Sequence, residues 1–184
     1  MAFKDSEGFS TPHRLRSLDG RLGMDLPPGH LDRMVELCRS TGGVETGGIL
    51  IGHYSDNHAV AIVTAVSDAP VDSTHSRTRF RRGVRGLQQW INRLWRQNQG
   101  FYLGEWHFHP FASPQPSPCD LEQIEEVAAA PPYSCPEPLL LIIGGDPREA
   151  WGYRVFVFVG EKGLIELMPL DAGTTEEDGG PSKR

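Results

Sequence analysis

A chain of 184 residues with 38% hydrophobic and 23% charged content suits a single globular domain with its own core. Its formal net charge of -6 lacks the positive balance of generic polyanion binders, so nucleic acid is not an expected partner. No apolar run approaches the roughly 20 residues that span a bilayer, the opening MAFKDSEGFS lacks the apolar core of a secretion signal, and Cys38, Cys119 and Cys135 are too far apart for a disulfide framework, which predicts a cytoplasmic protein with no membrane partner.

Residues 1–23 are polar and glycine-containing without a sustained period, so they are expected to form an extended, partly flexible lead-in. After Pro27-Pro28-Gly29, residues Leu31, Met34, Val35 and Cys38 recur at helical spacing until Thr41-Gly42-Gly43, predicting a short amphipathic helix. GGILIGHY and AVAIVTAV are apolar, β-branched-rich runs on either side of Ser55-Asp56-Asn57-His58, the pattern of a hairpin with a polar turn. Arg77, Arg79, Arg81, Arg82 and Arg85 form a dense basic run, read as a solvated loop, with docking of an acidic or phosphate-bearing partner as the competing use. Leu87, Trp90, Ile91, Leu94 and Trp95 repeat at i, i+3, i+4, i+7 and i+8, which predicts a second helix whose broad apolar stripe uses the tryptophans for packing. YLGEWHFHP is the next strand. A Pro-rich loop over 110–116 leads to a helix from about Ser117 to Ala130, and PLLLIIGG, YRVFVFVG and GLIELMPL read as three further strands before the charged tail DAGTTEEDGGPSKR. Without strict βα alternation, this order predicts an α+β fold: one domain over 24–170 with helices packed on a curved mixed sheet, and a flexible tail over 171–184.

Chemistry concentrates in a few of these residues. A strand repeats every two residues, so His107 and His109 point to one face and Trp106 and Phe108 to the other. Asp120 can add an oxygen as third protein ligand and leave a fourth tetrahedral position for water, the arrangement that separates catalytic from structural zinc, so Zn2+ is the expected cofactor. Glu45 leads the apolar string ETGGILIG, where a charge needs a reason, and is the natural proton acceptor.

Each assignment has a plainer alternative. The histidines suit half-buried strand positions with backbone partners, and Glu45 suits a turn before Gly47-Gly48, whose glycines mark either a bulge or a close approach. Ser117-Pro118-Cys119-Asp120 is also a capping box, a role compatible with catalysis because a hydroxyl can accept a backbone N–H and still donate its own proton. Glu105 shares the histidine face and competes with Glu45 as general base, although its place one step beyond the pair suits a supporting or surface residue. Cys119, beside Asp120, is read as helix packing rather than as a thiol nucleophile or a zinc ligand.

The combined spacing, E-x-x-G-x-L-x-G and then H-x-H, seven residues, Ser, two residues and Asp, resembles the JAMM/MPN (JAB) metalloprotease family over about residues 24–170. That resemblance implies a single MPN domain with a partly closed sheet flanked by helices, zinc held by His107, His109 and Asp120, Glu45 as general base, and Ser117 as donor to the oxyanion of a tetrahedral intermediate. It also implies hydrolysis of an isopeptide bond to a Lys ε-amine, with a ubiquitin-like protein or an E1/E2-conjugated target protein as partner. YLGEWHFHP with the nearby SPQPSPCD is similar to stand-alone bacterial members, among them deconjugases of CBASS-type anti-phage operons, which implies a role in antiviral defence. Many family members carry an aromatic where this chain has Glu105, a departure that bears on the local field. Competing uses are a non-catalytic MPN scaffold, a class that usually loses ligands retained here, and a peptidase for a sulfur-carrier C-terminus or small peptide. A cysteine hydrolase using Cys119 would instead respond to thiol alkylation and ignore chelators.

Overall fold

The computed structural model describes residues 11–97 and 100–170. Eight strands form one mixed sheet: β1 (His13–Arg16), β2 (Gly23–Leu26), β3 (Thr46–Tyr54), β4 (Val60–Val66), β7 (Phe101–Pro110), β8 (Leu139–Gly145), β9 (Trp151–Phe158) and β10 (Leu164–Pro169). A separate two-stranded hairpin, β5 (Thr74–His75) and β6 (Phe80–Arg81), arises from the segment that carries the basic run. The helices are α1 (Pro28–Ser40), α2 (Leu87–Arg96) and α3 (Pro118–Ala129). Among the described residues no helix is long and apolar enough to cross a membrane.

Mixed strands and packed helices agree with the expected α+β class, but the sheet closes. Its order is β1-β10-β9-β8-β7-β3-β4-β2, and β2 pairs with β1 to complete a barrel. Among the described residues only β2 with β4 and β7 with β8 run parallel. Closure depends on a segment that was expected to be a lead-in. His13–Arg16 buries Leu15 in the core and pairs with both β2 and β10, because a strand filling a gap between two edges satisfies its backbone groups on both sides. Residues 1–10 and the tail over 171–184 lie outside the described residues.

Strand alternation sorts β7 as expected. Trp106 and Phe108 enter the main core with Leu50, Val63, Leu103, Leu141 and Ile143, and α1 adds Leu31, Met34, Val35 and Cys38 to the same cluster. The opposite face of the sheet carries the other two helices. α2 places Leu87 and Leu94 over Ile49, Ile51 and Tyr102, while Ile124 of α3 packs on Leu140, Ile142 and Phe156. The apolar stripe of α2 is wider than the surface it covers, for Trp95 is 60% exposed.

Two close approaches put the site elements in register. Gly47 pairs with His107 and Gly48 with Trp106. A Cβ on Gly47 would fall 2.3 Å from the Trp106 carbonyl and 2.6 Å from the Phe80 ring, and one on Gly48 would fall 2.3 Å from the Ser67 carbonyl, which accepts the Trp106 indole N–H at 3.0 Å. The chain's own groups fill that space, and the β3–β7 register shift lies further along, between Leu50 and Ile51. Beyond β7, Phe111 adopts a left-handed φ of 59° and donates its N–H to the Gly145 carbonyl at 3.0 Å. The following loop crosses the end of β8 where a Cβ on Gly144 would sit 2.6 Å from the Ala112 carbonyl oxygen, and so returns Ser117 to the outer face of β7.

Leu141, with no exposed surface at the middle of β8, is expected to lose about 2–5 kcal/mol on substitution by alanine, through lost transfer energy and a residual cavity. Leu18, 97% exposed, should change by no more than about 0.5 kcal/mol on the same substitution. Urea unfolding of the two variants checks the contrast.

Candidate metal centre

His107, His109 and Asp120 are all buried, and one ligand atom from each lies within 4.8 Å of the others. β7 supplies the two imidazoles by alternation and the first turn of α3 supplies the carboxylate. His107 Nδ1 is 2.5 Å from Asp120 Oδ1. His109 Nε2 lies 3.2 Å from Asp120 Oδ2, a close charge contact, and this buried nitrogen has no hydrogen-bond partner. A buried polar atom is normally satisfied, so an orphaned imidazole nitrogen beside a carboxylate and a second imidazole fits a lone pair aimed at a cation. Two nitrogen donors and one oxygen donor form a set that holds first-row divalent ions.

Asp120 is anchored from its own helix as well. Ser117 is the N-cap of α3; its hydroxyl accepts the Asp120 N–H at 3.2 Å, while Asp120 Oδ2 accepts the Ser117 N–H at 2.7 Å and the hydroxyl proton at 2.6 Å. The capping box therefore exists, with Pro118 in the first turn. Burial alone would raise the Asp120 pKa, but the neighbouring imidazoles and the Ser117 hydroxyl outweigh it and hold the carboxyl well below the usual range. For His107, burial disfavours the charged ring, and the carboxylates of Asp120 and Glu105 on its two sides outweigh that effect and push it up to about 9.

Glu45 precedes β3 by one residue. Thr46 pairs with Phe108, so the antiparallel register sets Glu45 across from His109. The hairpin fastens its backbone: the Glu45 N–H donates to the Ser76 carbonyl at 2.7 Å, and its carbonyl lies 2.8 Å from His75 Nδ1. Burial raises the Glu45 pKa above the ordinary value, opposed in part by His109 and supported by the nearby negative charge of Asp120. Phe80 closes the same side, its ring edge-on to His107 at 5.3 Å between centroids.

Behind His107 lies a set of residues that sequence reasoning joined only in part. Glu105 is buried on the histidine face, with Oε2 at 3.2 Å from His107 Nε2. Its Oε1 accepts Arg82 Nε at 2.7 Å and the Tyr102 hydroxyl at 3.1 Å, and Arg82 also donates to the Tyr133 hydroxyl at 3.0 Å. Arg82 was expected on a solvated loop. Its side chain is instead 5% exposed, because a buried carboxylate needs a compensating cation and the segment after β6 can deliver one. Arg81, next to it, makes only an exposed ion pair with Glu126 at 3.1 Å. The signal in sequence was a charge on the ligand face of β7, with no indication of which arginine would meet it. Cys119 packs as expected, its thiol 3.8 Å from the Phe80 carbonyl and 3.8 Å from the Gln123 amide.

Residues 27–155 match the family described as prokaryotic homologs of the JAB domain. The chain is 42% identical over 127 residues to a CD-NTase/cGAS isopeptidase of Enterobacter hormaechei subsp. hoffmannii, a match that covers 69% of this chain and 70% of that protein. It is 36% identical over 110 residues to a CD-NTase/cGAS isopeptidase of Escherichia coli, with 58% and 65% covered. A probable metalloprotease of Sinorhizobium fredii is 29% identical over 129 residues, with 68% and 77% covered. A solution structure of a protein from Desulfitobacterium hafniense shares the fold at a TM-score of 0.55 and 20% identity, over 75% of this chain and 85% of that one. The chain belongs to the family of prokaryotic homologs of the JAB domain.

Proposed function

We propose that the protein is a cytoplasmic zinc-dependent isopeptidase that hydrolyses the bond between a target amine and the C-terminus of a ubiquitin-like modifier or of a protein conjugated by E1/E2-like enzymes. The observation that carries this reading is the buried, unpartnered His109 Nε2 facing Asp120 beside His107, in a chain of the JAB family. Two of its relatives are named CD-NTase/cGAS isopeptidases, which supports a conjugated nucleotidyltransferase as the protein substrate and antiviral defence as the setting.

Zinc, when held by His107, His109 and Asp120, supplies Lewis acidity toward the scissile carbonyl and lowers the pKa of water from 15.7 toward about 7. Glu45 does the proton work. Its burial raises the carboxyl pKa toward the operating pH, which suits a group that must take a proton from water and later release it. The hydroxyl of that water adds to the carbonyl carbon, and Glu45 passes the proton to the departing nitrogen. Atoms balance as one water added across the C–N bond. Ser117 meets the charge that develops on the carbonyl oxygen by turning its hydroxyl proton away from Asp120 Oδ2. Its oxygen stays fixed by the Asp120 N–H, and Asp120 Oδ2 keeps the Ser117 N–H, so the move strands neither group.

Glu45→Gln is expected to retain zinc and lose about 10²- to 10⁴-fold in kcat. Trapping with this variant and mass spectrometry of the captured conjugates identify the modifier; turnover at the parent rate would remove Glu45 from the base role. Ser117→Ala should lose about 10²- to 10³-fold in kcat and about 1 kcal/mol of stability through the lost cap. Kinetics and denaturation separate the two effects. Protein prepared without metal is expected to bind zinc more tightly as pH rises toward about 9, because the protonated His107 ring must give up a proton to serve as ligand. The folded-state pKa of His107 is raised from its ordinary 6.5, so its contribution to the stability of that metal-free protein is full below about 6.5 and is lost as pH rises through about 9. Chelator competition between pH about 6 and 9 measures the affinity, and a flat profile would contradict the assignment.

A further inference from the structure

Arg82, Tyr102, Glu105 and His107 form a buried chain of hydrogen bonds whose donor directions are fixed. A guanidinium has no acceptor, and a phenol beside a carboxylate donates to it, so both groups at Glu105 Oε1 are donors. Oε2 is left to face His107 Nε2 at 3.2 Å, and an ionised carboxylate only accepts. The proton on that side of the ring therefore sits on Nε2. The opposite nitrogen, Nδ1, is the one that points to Asp120, 2.5 Å away. For His109 it is Nε2 that faces Asp120. The two histidines of one strand thus turn different nitrogens toward the same carboxylate.

We infer that Glu105 is a positioning residue that sets His107 to ligate zinc through Nδ1, and that Arg82 and Tyr102 hold Glu105 in the orientation that does so. A buried Arg–Glu pair is weak evidence for stability, because the desolvation of both charges offsets their attraction. Orientation of a ligand gives the pair a physical reason to be there, since a carboxylate hydrogen-bonded to the far nitrogen fixes both ring rotation and tautomer. Arg82 lies just past β6, so the segment that holds the Glu45 backbone through Ser76 and His75 also holds the ring of His107 through Arg82 and Glu105. This inference rests on the proposed zinc site.

Glu105→Gln tests it with no change of shape. Arg82 and Tyr102 can donate only to the amide oxygen, which places the amide NH2 against His107 Nε2 and demands a lone pair there, with the proton on Nδ1. Zinc affinity, measured by chelator competition at fixed pH, is expected to fall about 10- to 100-fold, and zinc to restore the parent melting temperature only at correspondingly higher concentration. Nitrogen-15 NMR of the zinc-loaded parent provides a second measurement that needs no variant: it should show the proton of His107 on Nε2 and the metal on Nδ1. Metal on Nε2 in the parent, or a Glu105→Gln variant that folds and binds zinc as tightly as the parent, overturns the inference. His109→Ala distinguishes the two levels. If the parent binds no zinc, or His109→Ala leaves its affinity unchanged, the zinc site itself is wrong; if His109→Ala abolishes binding and Glu105→Gln does not weaken it, only the positioning role is.

Discussion

The site is organised by one buried carboxylate. Asp120 is 2% exposed, and an unpaired charge at such a position would cost several kcal/mol. It is tolerated because one oxygen meets His107 on β7 and the other meets Ser117 at the start of α3. Strand and helix are thereby tied at a single point, and neither can move away without leaving the charge unsatisfied. Other features answer to that tie. The loop between them must double back over Gly144, and Phe111 takes a left-handed conformation where the chain turns. Inside the barrel, Trp106 and Phe108 fix the pitch of β7, so the alternate residues have nowhere to go but the outer face.

Charge balance around the site carries the same logic outward. Glu45, Glu105 and Asp120 are three buried acids, set against the guanidinium of Arg82 and two imidazoles. Arg82 is committed to Glu105 on the far side of His107, so it does little for Glu45 or Asp120. The face shared by Glu45, Asp120 and His109 therefore holds more acid than base, the electrostatic setting in which a divalent ion is more strongly held than a monovalent one. The same division separates roles: the acid with a cationic partner supports a ring, and the acid pushed up by burial can exchange a proton.

What was legible in the sequence was local. α1, α3, the β3–β4 hairpin and β7 announce themselves through periodicity and caps, and of the five residues read as chemical the two histidines on β7 and Asp120 in α3 are brought together, while Glu45 and Ser117 stand just before β3 and α3. β1 and β2 were hidden because HRLR and GMDL are short and carry few apolar residues, and β5 and β6 have two residues each. Closure of the sheet was hidden for another reason: β1 pairs with β10 across most of the chain, and such pairing leaves no periodic trace. Arg82 illustrates the limit for the site. It stands among five arginines that look alike in sequence, and what singles it out is a carboxylate that becomes its neighbour only after folding.

The seam of the barrel has a bearing on how the protein is made. Leu15 faces Pro169 across it, and the Leu170 N–H reaches the Arg14 carbonyl at 2.8 Å. A ring joined in this way stays unsealed on the ribosome until β10 has emerged, although β7 and α3 are synthesised well before. β10 also contributes Leu167 to the apolar cluster around Trp106, so that cluster is complete only once the strand is in place. Among the described residues β10 is the last strand to be synthesised, so the first strand of the barrel waits for it before both of its edges are paired.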